Sequence, residues 1–252
     1  MNISELLLNK FICGEPIPKA QKALSAMLEY ENPGVSYADM MRYRVSNRAA
    51  SECVDTYYVA HKDGIAYSRL WNGWGRHGSS IGNFGNFVTV EALRGQGLGH
   101  RMLEFWHDDI RTRDDLPLCF LCMGDKRAAK LYFPYGFQTI EKGAEYGPLF
   151  MPLGDSPTDF REFCDSYYEP SDILIRRKAT VEWRHEIDCL LKYSLWSMEL
   201  DYTVDGKILE QALLYSPDRA ELLFTENNRC VGWMLDGQAV IHPNYKKSEI
   251  IT

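Results

Sequence analysis

Phe87–Ile110, FVTVEALRGQGLGHRMLEFWHDDI, is the stretch that decides the fold. Phe87, Val88 and Val90 are strand formers in a short apolar run that also holds Thr89. Arg94-Gly95-Gln96-Gly97-Leu98-Gly99 comes next, placing glycines at alternate positions. After it Leu98, Met102, Phe105, Trp106 and Ile110 recur at helical spacing, with Arg101, Glu104 and Asp108 off that stripe. The stretch therefore predicts a strand, a glycine turn and an amphipathic helix. A turn of this kind leaves several backbone N–H groups aimed at one spot, where the helix dipole also favours negative charge, so it predicts a phosphate site.

Spacing separates three kinds of phosphate loop. A P-loop requires Gly-x-x-x-x-Gly-Lys-Ser/Thr, and here His100 succeeds Gly99 with no Lys-Ser/Thr pair beside it. The dinucleotide fingerprint requires Gly-x-Gly-x-x-Gly; Gly95 and Gly97 fit, but its third position is His100. The pattern Arg/Gln-x-x-Gly-x-Gly/Ala is matched in full by Arg94, Gly97 and Gly99. In this loop the chain resembles the GNAT acetyltransferases, whose pyrophosphate loop for acetyl-CoA has that form. A second stretch strengthens the resemblance. Leu118–Met123 is an apolar run of strand length, followed by Asp125-Lys126-Arg127-Ala128-Ala129-Lys130-Leu131-Tyr132-Phe133-Pro134-Tyr135-Gly136-Phe137. The family's second signature is Asn-x-x-Ala-x-x-Leu-Tyr and then Gly-Phe. Ala128, Leu131, Tyr132, Gly136 and Phe137 match it, with Asp125 in place of Asn.

The resemblance implies a mixed α/β fold over residues 1–155, with a mostly antiparallel central sheet flanked by helices. It also implies acetyl transfer from acetyl-CoA to a primary amine of a small molecule or peptide. On this basis Val88, Thr89 and Val90 would meet the pantetheine arm through their main chain. Arg94, Gly95, Gln96, Gly97, Leu98, Gly99 and His100 would hold the pyrophosphate, with Asp125 and Ala128 beside them. Tyr132 stands where the family's general acid stands. A base for the acceptor ammonium is harder to find, because no carboxylate occurs between Asp63 and Glu91. His77 is the one side chain in that interval whose ordinary pKa is near neutrality, and Glu91 borders the loop. Deprotonation through water is equally admissible. A non-catalytic acyl-CoA-binding sensor or interaction module is the competing function, and an oxidoreductase is disfavoured by the glycine spacing.

Composition narrows the classes further. The chain has 252 residues, 45% of them hydrophobic and 25% charged, as expected of a globular protein. Its net charge of −7 argues against nucleic acid or an anionic membrane surface as partner. No apolar run approaches membrane-spanning length, and Leu6-Leu7-Leu8 lacks the basic flank of a signal peptide. Seven scattered cysteines suggest reduced thiols and a cytoplasmic location. Cys119 and Cys122 lie in one predicted strand and so face opposite sides, and no second pair completes a zinc site.

The remaining segments are read by the same rules. Phe11–Cys13 predicts a short first strand, and Lys19–Tyr30 and Tyr37–Tyr43 predict helices. Tyr57–Ala60 and Ile65–Trp71 flank Asp63-Gly64 as a hairpin, and glycine-rich Asn72–Asn86 predicts a connection. Gln138–Glu141 and Leu149–Leu153 predict strands, and Gly154-Asp155-Ser156-Pro157 a boundary. Residues 156–252 form a second expected unit, an α/β half-domain. Its order of strand (Ile173–Arg176), helix (through Ile187–Met198), helix (Leu209–Leu214) and hairpin (Glu221–Leu235) repeats that of residues 11–71. It approaches a second loop at Ala239–Lys247 but lacks the glycines. Such a unit would pack on the first domain or on a second subunit, which allows a homodimer.

Overall fold

The computed structural model of the chain describes residues 2–13, 50–194 and 202–251. The expected helices at Lys19–Tyr30 and Tyr37–Tyr43, and positions Leu195 and Met198, lie outside the described residues. The fold is mixed α/β, with mostly antiparallel sheets flanked by helices. Strands β1 (Leu7–Ile12), β2 (Cys53–Lys62), β3 (Ile65–Gly75) and β4 (Ile81–Thr89) form an antiparallel run. β2 reads CVDTYYVAHK, rich in β-branched and aromatic residues, and is buried on both faces along most of its length. Asp63 and Gly64 close the β2–β3 hairpin with φ of 52° and 78°, the left-handed pair that the Asp-Gly signal predicts.

After β4 come helix α1 (Leu98–Ile110), β5 (Cys119–Gly124), helix α2 (Lys126–Tyr132), β6 (Gln138–Thr139) and β7 (Gly147–Pro152). The first sheet runs β1-β2-β3-β4-β5-β7-β6, and β4 with β5 is its parallel pair, joined by α1 as the crossover. α1 buries Leu98, Met102, Leu103, Trp106 and Ile110 against one face of this sheet.

The chain continues through α3 (Phe160–Tyr167), β8 (Ile173–Lys178), α4 (Arg184–Ser194) and α5 (Tyr202–Tyr215). It ends with β9 (Ala220–Phe224), β10 (Cys230–Leu235), β11 (Gln238–Ile241) and β12 (Glu249–Ile251). The second sheet runs β11-β10-β9-β8-β12. Sheet membership changes between β7 and β8, but the core does not. Ile81, Cys119, Leu121 and Phe150 of the first sheet share one buried cluster with Phe160 and Phe163 of α3, Ile187 and Leu190 of α4, and Phe224 of β9. Phe150 lies 5.1 Å from Phe160 and 5.2 Å from Phe163 between ring centroids. Each such side chain contributes about 1.5–3 kcal/mol on burial, so the face of the first sheet opposite α1 depends on the C-terminal segment for its cover. Cys119 enters this cluster, whereas Cys122 faces the α1 side.

Two segments differ from expectation. Glycine-rich 72–86 is largely strand, because its glycines serve contact rather than turning. A Cβ on Gly82 would stand 2.7 Å from the Phe120 ring, and one on Gly73 would stand 2.5 Å from Asp55 Oδ1. Composition alone cannot distinguish such glycines from loop glycines. The other is a strand, Glu249–Ile251, that the sequence does not predict. Glu249–Ile251 pairs in parallel with Ile173–Ile175 of β8.

Candidate active site

The site arises from how β4 leaves the sheet. Parallel pairing with β5 covers three rungs, Ile81↔Cys119, Gly82↔Phe120 and Asn83↔Leu121. Beyond Leu121, β5 stays on β7 through Gly124↔Gly147, while β4 diverges. The two strands therefore fork after Asn83. A bulge accompanies the divergence: Arg69 and Trp71 of β3 stand opposite Val88 and Gly85, so β4 carries one extra residue. Asn86 sits there at φ 48°, a left-handed position that Asn tolerates better than most residues. The Arg69 guanidinium donates to the Asn86 carbonyl at 3.0 Å and to its side-chain oxygen, fixing the bulge.

Ladder phase then decides which β4 groups face the fork. Val90 N–H donates to Tyr67 O at 2.9 Å. With Ser68 opposite Thr89 and Arg69 opposite Val88, the main-chain groups of Val88 and Val90 belong to β3. Thr89 points its own away from β3, and its carbonyl accepts from Arg94 Nε at 2.9 Å. Of the three residues expected to meet a bound arm through their main chain, Val88 and Val90 are committed to β3, which leaves Thr89.

A single 3-10 turn, Glu91–Leu93, leads from β4 to the glycine loop. Gly95 and Gly97 have φ of 76° and 89°, which turn the chain so that α1 begins with its free N–H groups toward the fork. A Cβ on Gly99 would lie 3.3 Å from Leu131, so this glycine lets α1 and α2 approach. α2 begins at Asp125, whose carboxylate accepts from Arg127 N–H at 2.9 Å and Ala128 N–H at 2.7 Å.

Between these parts lies a cleft of roughly 720 Å³. Val88, Thr89, Arg94, Gly95, Gly97, Gly99, His100, Asp125, Ala128 and Tyr132 line it, together with Phe87, Leu93, Arg127, Lys130 and Leu131. Three permanent cations, Arg94, Arg127 and Lys130, face one carboxylate, and that carboxylate is committed to capping α2. In a chain of net charge −7 this is a local reversal of sign. Arg127 and Lys130 escaped the sequence analysis, although their i, i+3 spacing put them on one face of α2.

Tyr132 is buried at the inner wall. Its ring is edge-on to Phe84 at 5.1 Å and stacked with Phe87 at 6.2 Å. Tyr135, nearby, donates to His100 O at 3.3 Å; burial first, and Glu104 second, push its phenol above the ordinary value. The other expected residues stand apart from the lining. Leu98 buries its side chain in the core, and Gln96 donates to Ala92 O at 2.8 Å. Glu91 is exposed at the start of the turn.

His77 is placed elsewhere. It lies in the β3–β4 connection, at the opposite end of β4 from the cleft. The eight steps from Ile81 to Thr89, at about 3.3 Å each, give β4 a length of roughly 26 Å. Its N–H donates to Glu182 and its Nε2 meets Ser51 O at 2.8 Å. Spacing in sequence could not show that β4 runs the whole way between His77 and the loop. Among the aromatics of β2 and β3, Tyr57 and Trp71 pack together on the face opposite α1, while Trp74 and Tyr67 pack on the α1 side.

Fold and cleft together define an α/β protein whose central sheet forks beside a glycine loop at a helix N-terminus. Solved structures similar to this chain include an acyl-CoA N-acyltransferase from Pseudomonas aeruginosa, 19% identical, covering 60% of this chain and 100% of that one with a TM-score of 0.42. A GNAT-family N-acetyltransferase from Escherichia coli, solved with CoA, is 17% identical over 60% of this chain and 82% of its own, TM-score 0.41. A GNAT-family acetyltransferase from Brucella melitensis, solved with acetyl-CoA, is 17% identical over 59% and 92%, TM-score 0.40. These likenesses are distant in sequence and partial in superposition. No family model matches the sequence, and no curated protein matches it. Among the described residues no helix is long and apolar enough to cross a membrane, and no group of three or more His, Cys, Asp or Glu could hold a metal ion.

Proposed function

We propose that the chain is an acyl-CoA-dependent acyltransferase that moves an acetyl group from acetyl-CoA to a primary amine. The observation that carries this reading is the cleft: a helix N-terminus launched by two left-handed glycines, three cations, and a strand edge released from its ladder, all opening on one space. A pyrophosphate suits the first two features, and an amide-bearing arm suits the third, since it can add to an open strand edge as another strand would.

The chain's own residues have separable tasks. The N–H groups at the start of α1 hold the anion, with Arg127 and Lys130 adding charge from α2. Thr89 N–H meets the arm and aligns it along β4. Acetyl-CoA supplies an activated acyl group, and Tyr132 donates its phenolic proton to the departing sulfur. His77 is too remote to take the acceptor's proton. The loop lies at the surface while Tyr132 is walled by Phe84 and Phe87, so the anion is held in the open and the reacting end in a drier place.

The test is calorimetry with CoA, followed by thioester consumption with a panel of primary amines. Saturable 1:1 CoA binding and turnover on at least one amine are expected. Binding with no turnover on any amine would leave a CoA-binding module, and absence of binding would overturn the reading altogether.

A further inference from the structure

The fork closes at Asn83, whose side chain is held by Leu121 of β5 and by His185 and Asp188 of α4. Its side chain lies on the face opposite α1, buried to 6% exposure. Asn83 Nδ2 donates to Leu121 O, across the last rung of β5, at 3.2 Å. The same nitrogen donates to Asp188 Oδ2 at 2.6 Å. Both partners can only accept, so the orientation of this amide is decided and its oxygen must be the acceptor. His185 Nδ1 stands 2.5 Å from that oxygen and therefore carries the proton.

α4 in turn fixes both of its contributions. Lys192, one helical turn beyond Asp188, donates to both carboxylate oxygens at 2.7 Å and is itself fully buried. The His185 ring stacks on Trp71 at 6.1 Å with 25° between planes. Trp71 stands opposite Gly85 in β3, at the bulge where β4 turns away, and donates from Nε1 to Asp55 Oδ1 at 2.7 Å. A continuous polar array thus crosses the sheet beneath the fork, and α4 supplies half of it. Buried amides and carboxylates of this kind are costly unless every partner is in place, so the array has one low-energy arrangement.

We propose that Asn83 is the positioning residue of the acyl-CoA fork, and that His185 and Asp188 of the C-terminal segment set it. This rests on the acyl-CoA reading of the cleft. Residues 156–252 are then part of the binding site: α4 holds the vertex from which β4 diverges, and with it the place of Thr89 and Phe87 along the cleft wall. Asn83 touches no ligand in this scheme. Its effect travels along six residues of β4.

The experiment compares CoA affinity by calorimetry in the wild type, Asn83→Asp and the swap Asn83→Asp/Asp188→Asn. Asn83→Asp puts an acceptor against Leu121 O and a second carboxylate against Asp188, and should weaken CoA binding at least tenfold. The swap restores a donor–acceptor pair to α4 with the same total charge, and should regain at least threefold of that loss. Affinity within threefold of the wild type in Asn83→Asp, or a swap no better than the single variant, overturns the proposal. If Asn83→Asp does not fold, His185→Phe decides. It keeps a ring against Trp71 and removes the donor to Asn83, and should weaken CoA at least threefold; unchanged affinity in the folded variant overturns the proposal. A wild type that fails to bind CoA instead sinks the acyl-CoA reading itself, which separates the two failures.

Discussion

Two strands in this molecule end in a single 3-10 turn. β4 runs into Glu91–Leu93, and β11 runs into Pro243–Tyr245. Beyond the turn the two paths differ. After the first, Gly95 and Gly97 take φ of 76° and 89° and launch a 13-residue helix whose N–H groups face a cleft. After the second, Lys246 stays right-handed at φ −61°, and the chain drops into β12 beside β8. The residue before each turn differs as well. Both give the backbone N–H to the neighbouring strand, Val90 to Tyr67 O and His242 to Val231 O at 2.9 Å, but His242 is also buried, stacks on Tyr193 at 4.7 Å and caps its own turn through Nδ1. Two left-handed positions separate a loop that opens on a cleft from a structural corner.

The largest expected effect comes from erasing that difference. Gly97→Asp forces a side chain into a left-handed position and puts a carboxylate where the anion is held. CoA binding should fall by about 100-fold or more while the far-UV spectrum is kept. A folded variant with wild-type affinity in calorimetry would show that the loop is a corner like the other. Tyr132→Phe keeps the ring among Phe84, Phe87 and Phe137 and removes only the hydroxyl. Turnover should drop on the order of 100-fold with the Michaelis constant for acetyl-CoA little changed. A drop under tenfold would reduce Tyr132 to packing. Removing Arg127 and Lys130 together, both to Ala, should weaken CoA about tenfold, and less at 0.5 M salt than at 0.05 M, because exposed cations are screened. Equal losses at both salt concentrations would exclude an electrostatic role.

The smallest effect belongs to the structural corner. Burial lowers the His242 pKa from 6.5 to about 4. A base whose folded pKa is depressed contributes stability above its unfolded pKa and loses it as the pH falls. Between about 6.5 and 4 the unfolded chain takes a proton that the fold refuses. The loss should be about 1–2 kcal/mol after solvent screening, or a few degrees in Tm. His242→Phe keeps the stacking and should remove this part of the acid limb. Parallel Tm-against-pH curves for the two proteins would show that His242 does not set it.

Much of the site was legible because its causes are local. The glycine turn and the hydrophobic stripe of α1 each depend on residues within a few places of one another. So did the Asp63-Gly64 hairpin and the opposite facing of Cys119 and Cys122. His77 was misplaced for the converse reason: the extent of β4 is set by pairing with β3 and β5, and its glycines are there for Phe120 and Asp55. The fork, the ladder phase that selects Thr89 over Val88 and Val90, and the hold of His185 and Asp188 on Asn83 all required the tertiary structure. Local rules decide which backbone shapes a segment can take. Which hydrogen-bonding groups remain open depends on partners about twenty to a hundred residues away, and no periodicity in the sequence records them.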